Sequence, residues 1–309
     1  MATIELPMTT VTSGLGFPEG PIAMPDGSVV LVEIERGTLT RVEPDGRVEV
    51  VADCGGGPNG AALGPDGRVY VCNNGGFEWV EQRGGGRMPT VQSRDYEGGS
   101  IQRVDLGSGA VETLYTHCGP HRLRGPNDLI FDDTGGFWFT DPGKRRERDR
   151  DRGGLYYARA DGSEIREVIY PLNHPNGVGL SPAGDRVYVA ETETARVFSW
   201  TLAGPGEIAG YRGPETRATL LAGLGGWQWL DSLAVDAAGN VCVATIRNGG
   251  ITVISPDDAR IDHVPTGDGA TTNICFGGPD LRTAYITASL TGRLLRTTWP
   301  RPGLPLAYG

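Results

Sequence analysis

The chain has 309 residues, 28 Lys and Arg against 38 Asp and Glu, and a net charge of −10; this disfavours nucleic-acid and anionic-membrane partners, since both need a basic face. Its length allows a large core without disulfides or a structural metal, and 49 glycines with 22 prolines argue against long helices. The five cysteines show no CxxC spacing, and Cys72, Cys242 and Cys275, on apolar runs, read as buried free thiols of a reducing compartment; "MATIELPMTT" carries no basic or apolar leader and no run reaches transmembrane length, so the expected location is cytoplasmic.

The first elements are ambiguous, and residues 3 to 11 are predicted as an outer strand of the last unit, Pro7 being tolerable at an edge. From Phe17 a pattern begins that recurs six times. The copies are "FPEGPIAMPDGSVVLVEI", "GPNGAALGPDGRVYVCNN" from Gly57, "GPNDLIFDDTGGFWFTDP" from Gly125, "HPNGVGLSPAGDRVYVAE" from His174, "WLDSLAVDAAGNVCVATI" from Trp229 and "TTNICFGGPDLRTAYITA" from Thr271. Each has a polar anchor, a short apolar run, a turn and a second β-rich run. Predicted second strands include 29–32, 69–72, 137–139 and 187–189. Third strands are predicted at 38–42, 101–104, 197–200 and 251–254, and the last unit at 273–277, 282–287 and 292–298. The anchors Glu19, Asn59, Asn127, Asn176, Asp231 and Asn273 recur at a mean spacing of about 51 residues, so six units use nearly the whole chain. Four-stranded antiparallel units in a ring make an all-β, six-bladed β-propeller, expected to occupy residues 1–309 as a single domain. Residues 77–99 interrupt the second unit as either a lid or a surface insertion, and residues 143–153 read as a solvated, mixed-charge hairpin tip.

In a propeller the first strand of each blade lines the central channel, so the anchors converge at one end. One Glu, one Asp and four Asn offer hard oxygen donors suited to Ca²⁺, Mg²⁺ or Mn²⁺, whereas no Cys or His cluster favours structural zinc. For a single Asn the plain alternative is turn chemistry, as in Asn59-Gly60 and Asn176-Gly177. A carboxylate beside a narrow channel is costly without a cation, which sets Glu19 and Asp231 apart. Asp141 reads as a turn residue. His174 reads either as a substrate contact or as a loop histidine without a role. Trp227 and Trp229 read as aromatic walls, suited to a less polar or ring-shaped substrate, or as packing.

With Glu19 in "FPEGP", Asn127-Asp128 in "GPND", Asn176 in "HPNGVGLSP" and Asp231 in "WLDSLAVDAAGN", the chain resembles the SMP-30/gluconolactonase family, with its luciferin-regenerating, lactonase and phosphotriesterase-like relatives, from "FPEGP" to "TNICFGG". The resemblance implies a six-bladed propeller with one catalytic divalent metal, calcium first and Mg, Mn or Zn as alternatives. Glu19, Asn176 and Asp231 would match its protein ligands, and Asn127 a position that binds metal in some relatives and substrate in others. Asp128 would match an acidic proton-handling residue. Sugar-lactone members carry an arginine two residues before the "ND" asparagine; here that position is Gly125, with Arg124 one residue further away. The expected activity is metal-dependent opening of a lactone or ester by metal-polarised carbonyl and activated water. Asp128 is expected as base and Asp231 as the alternative, with Asn59, Asn127, His174 and Trp229 on the substrate. Phosphotriester hydrolysis or a non-catalytic binding propeller are the alternatives. The expected partner is a small lactone or ester.

Overall fold

The computed structural model describes residues 1–213 and 218–309. Six sheets follow one another along the chain, each with its first strand innermost. Blade one comprises Pro18–Ala23, Val29–Glu33, Thr38–Val42 and Val48–Asp53. Blade two comprises Pro58–Leu63, Val69–Asn73, Ser100–Val104 and Val111–Tyr115. Blade three runs through Leu129–Phe131, Gly136–Asp141, Gly153–Arg159 and Ile165–Leu172. Blade four has Pro175–Leu180, Arg186–Glu191, Arg196–Gly204 and Thr219–Gly223. Blade five has Trp229–Val235, Val241–Ile246, Gly250–Ile254 and Ile261–Pro265. Blade six has Thr271–Gly277, Thr283–Ala288 and Arg293–Thr298. The arrangement is a six-bladed β-propeller.

The second strands explain why the units form a ring rather than separate sheets. Side chains alternate between the two faces of a strand, and here both faces are apolar. Tyr70 and Cys72 pack on blade three, whereas Val69 and Val71 pack on blade one. Phe137 and Phe139 face blade two, and Trp138 faces blade four. Tyr188 and Ala190 turn to blade five while Val187 and Val189 turn back to blade three. Every blade therefore needs a neighbour on each side, a need that closure alone satisfies. Replacing Trp138, fully buried, by alanine would cost about 3–5 kcal/mol.

The ring closes through the N-terminal segment, with shifted boundaries. The strand added to blade six is Thr9–Ser13, antiparallel to Arg293–Thr298, rather than residues 3 to 11. Ala2–Thr3 instead pairs parallel with Ile261–Pro265 of blade five. Pro7 lies between the two strands, where its missing N–H interrupts no ladder, and its carbonyl accepts from Thr297 Oγ1 at 2.9 Å. Ile4, Leu6 and Met8 pack against the core between blades five and six, and Val11 and Leu15 against that between six and one. Ser289 Oγ donates to the Pro18 carbonyl at 2.6 Å across the closing seam.

Deleting residues 1–13 uncovers the edge of Arg293–Thr298 and opens both seams. The truncated chain is expected to melt several degrees lower, while deletion of residues 1–3 changes little, since Ala2 and Thr3 are exposed. Equal melting temperatures for the full chain and the longer truncation, measured by differential scanning fluorimetry, would contradict closure by this strand.

Candidate metal centre and active site

Each anchor stands where the innermost strand slips register against its neighbour. Irregularities fall between Glu19 and Ile22, Pro58 and Ala61, Pro175 and Val178, Leu230 and Leu233, and Thr271 and Asn273. Such bulges re-aim a side chain. In blade three, Asn127 and Asp128 precede the paired strand, yet Asn127 N donates to Thr140 O at 2.9 Å and Thr140 N to Asp128 O at 3.0 Å.

Glycine after the anchor lets adjacent inner strands touch. Gly60 N donates to Asn127 O at 2.6 Å, and a methyl group there would sit 2.5 Å from that oxygen. One at Gly177 would sit 2.7 Å from Asp231 O and Leu233 N. In blade three this position is Asp128, and its carboxylate takes backbone donors: Leu129 N at 3.0 Å on Oδ1 and Val178 N of blade four at 3.1 Å on Oδ2.

Glu19, Asn59, Asn127, Asp128, Asn176, Asp231 and Asn273 are all buried. Asn273 Nδ2 donates to Glu19 Oε2 at 2.8 Å, and Gly20 N donates to the same oxygen. Glu19 Oε1 is left buried without a partner. Asn176 Nδ2 donates to Thr192 Oγ1 at 3.2 Å, while Asn176 Oδ1 and Asn127 Oδ1 are likewise buried and unpartnered. Burial, and then Asp231 and Asp128, push the Glu19 carboxyl well above its ordinary value. Burial pushes Asp128 up to about 7 against its backbone donors. It pushes Asp231 to about 7 as well, with Asn176 opposing and Asp128 adding to the rise. Three acids thus repel one another where water is scarce, and three orphaned oxygens stand among them. A hard cation fits this donor set: it would satisfy lone pairs that the protein leaves open and offset the repulsion. Among the described residues no three His, Cys, Asp or Glu side chains are grouped to hold a metal by themselves; carboxamides supply half of this donor set.

The other candidates lie around the mouth. His174 opens blade four with φ +54; its Nδ1 is sequestered and unpartnered, and burial lowers its pKa to about 4, so it is neutral at pH 7. Trp229 is half-buried at the start of the Asp231 strand. Below the anchors the channel widens into a cavity of about 1310 Å³, reached by Asp128 and Asn273 and lined by Ile22, Phe131, Leu180 and Phe276. The C-terminal Leu304 to Ala307 also line it.

Two features differ from expectation. Asp141 is more than a turn residue: it ends a second strand, buried, and besides Gly143 N of its own turn at 2.8 Å it accepts from Arg124 N and Gly125 N at 2.7 and 2.8 Å. Glu33, Asn73 and Glu191 do the same in their blades, accepting from Gly16 N at 2.5 Å, Gly57 N at 3.0 Å and Asn173 N at 2.8 Å. They fix the chain leading to each anchor. The repeat carried this signal, since the first four copies end in "VEI", "CNN", "TDP" and "AE".

The 143–153 segment is not wholly solvated either. Lys144 is fully buried, and its Nζ donates to Asn74 O, Asn74 Oδ1 and Gly76 O at 2.9, 3.2 and 2.7 Å, with the Phe77 ring centroid 3.9 Å away. It fastens the base of the insertion, a hairpin of Phe77–Glu81 and Arg87–Gln92. Trp79 meets Phe17 edge-on at 5.2 Å, Met88 and Leu290 join the same cluster, and Arg87 pairs with Glu35. The insertion therefore borders the mouth at blades one and six. Lys144→Met leaves the Asn74 carbonyl without a donor, while Asn74 Oδ1 keeps Gly76 N and Gly76 O keeps Ser93 N, at a cost on the order of 1–3 kcal/mol. Faster tryptic cleavage at Arg83 and a lower melting temperature are expected; unchanged cleavage would show that the lysine does not hold the hairpin.

The SMP-30/gluconolactonase/LRE-like family profile matches residues 17–290. A gluconolactonase of Zymomonas mobilis is 23% identical over 93% of this chain and 80% of its own. A lactonase, drp35, of Staphylococcus saprophyticus is 28% identical over 77% of this chain and 66% of its own. Among solved structures, a gluconolactonase of Xanthomonas campestris superposes with a TM-score of 0.73 at 22% identity, covering 95% of this chain and 89% of that one. The calcium-binding protein regucalcin of Agrobacterium tumefaciens superposes at 0.75 and 18%, covering 99% and 100%. With the profile spanning all six anchors, the chain belongs to the SMP-30/gluconolactonase/LRE-like family.

Proposed function

We propose that this protein is a divalent-metal-dependent lactonase, acting as a single domain in the cytosol. The observation that carries the reading is the trio of buried, unpartnered oxygens on Glu19, Asn127 and Asn176 beside the Asp231 carboxylate. The lactonase names of its relatives support the reaction class. Glu19, Asn176 and Asp231 would hold the ion, with Asn127 completing the set or meeting the substrate. Bound there, calcium, or less favourably magnesium, supplies Lewis-acid polarisation of the lactone carbonyl.

The chain's own groups do the rest. Asp128 is held by the Leu129 and Val178 N–H groups, and burial, which raises its pKa to about 7 in the cation-free protein, leaves it basic enough to take a proton near neutral pH. It takes a proton from the water whose oxygen attacks the carbonyl. The ring C–O bond breaks, and Asp128 returns the proton to the departing alkoxide, leaving a hydroxy acid. Asn59 and Asn127 orient substrate oxygens. Asn273 keeps Glu19 pointed by holding its other oxygen.

Acid release from a panel of lactones, with and without chelator, tests the activity; a panel silent with calcium, magnesium and manganese, alongside turnover of a phosphotriester, would replace this reading. Asp128→Asn is expected to lower kcat by about 10²–10⁴-fold with metal content intact, and Asp231→Asn to lose both. Loss of metal in Asp128→Asn would make Asp128 a ligand instead.

Stability carries a second signature. The pKa values of Asp128 and Asp231, about 7 when folded, exceed the unfolded value of about 3.9. Between these values the cation-free folded state binds more protons than the unfolded one, so stability falls as pH rises from about 4 to about 7. A bound cation favours the ionised carboxylates and should flatten that fall. Parallel melting curves for chelated and calcium-loaded protein over this range would argue against a cation at these residues.

A further inference from the structure

At the mouth of blade five the Arg247 guanidinium lies between two indoles, 4.0 Å from the Trp227 ring and 4.3 Å from that of Trp229. Arg247 follows the second strand and Trp229 opens the first, and Trp229 pairs with Ile246. The stack therefore sits at the end of the blade that carries Asp231. Trp229 precedes Asp231 by two residues, about 7 Å along a strand.

Three observations say that the stack is built for its side chains. Trp227 is 74% exposed, too open to serve as core. Arg247 has φ +73, a left-handed conformation that glycine or asparagine would adopt with less strain. Among the described residues no carboxylate forms an ion pair with its guanidinium. Two indole rings hold the exposed, planar group, whose fixed fork of parallel N–H donors matches a carboxylate.

We propose that Arg247, clamped by Trp227 and Trp229, determines specificity by taking a carboxylate carried on the substrate, so that the preferred lactones are acidic ones. This rests on the lactone-opening reading. The hydrolysis product would then be a hydroxy dicarboxylate, and a lactonising or oxidising reaction on an acid sugar or diacid must supply the substrate.

The test uses a γ-lactone bearing a carboxylate beside the ring oxygen and its neutral carboxamide, with calcium-loaded protein. Wild type is expected to favour the carboxylate by roughly tenfold or more in kcat/KM. Arg247→Asn, which suits the left-handed backbone, should remove that preference mainly through KM and leave the carboxamide within about twofold. Arg247→Lys keeps the charge and loses the fork, and should recover only part. Equal preference in wild type and Arg247→Asn, or an equal fall for both compounds, overturns the proposal. Tryptophan fluorescence titration with tetrahydrofuran carboxylate and its carboxamide separates the two readings. If no lactone is opened yet carboxylate binding depends on Arg247, the activity reading fails and the subsite stands. Carboxylate binding that is the same in Arg247→Asn removes the subsite whatever the activity.

Discussion

Burial of three carboxyl groups, Glu19, Asp128 and Asp231, in one channel, with their mutual repulsion second, is the constraint around which the site is organised. Burial alone disfavours a charged carboxylate, and like neighbours add to the cost. Here each sits on a different blade, and the apolar interfaces between blades supply the rigidity. The ring is fixed by Trp138, Tyr70, Phe137 and their neighbours, and the acids have little freedom to part.

How the acids are oriented differs at each. Glu19 is gripped through one oxygen by Asn273 of the blade across the closing seam, which leaves the other oxygen bare. Asp128 has both oxygens engaged by backbone N–H groups, which fixes the carboxyl group in place. Asn176 turns its amide nitrogen to Thr192 and leaves its oxygen open. At Glu19 and Asn176 a neutral neighbour decides which oxygen remains open. One level further out, Glu33, Asn73, Asp141 and Glu191 hold the segments that deliver the anchors.

The mouth is the least symmetric part of the ring. The hairpin that Lys144 fastens from blade three reaches the side of blades one and six, while the Trp227–Arg247–Trp229 stack stands on blade five. A shared channel floor with dissimilar rims is the arrangement by which loops vary substrate on a constant scaffold.

Much of this was legible in the chain. Six copies of one pattern fixed the blade number, because a repeat of about 51 residues with two-residue alternation has few other folded solutions. The anchors were legible because Glu19, Asn127, Asn176 and Asp231 occupy one position of that pattern. Asp141 was misread because a carboxylate after a strand looks the same in sequence whether it faces water or caps a buried turn. Only the neighbouring N–H groups tell the two apart. The N-terminal strand was expected, yet its register depended on which of two blades offered an open edge, and the segment proved to serve both. Lys144 looked like one more member of a charged run, and its burial follows from carbonyls of residues 74 and 76 that only folding brings to it. The pairing of Arg247 with two tryptophans 18 and 20 residues earlier was equally invisible. Stacking depends on where a turn places a guanidinium in space, and spacing along the chain does not encode that.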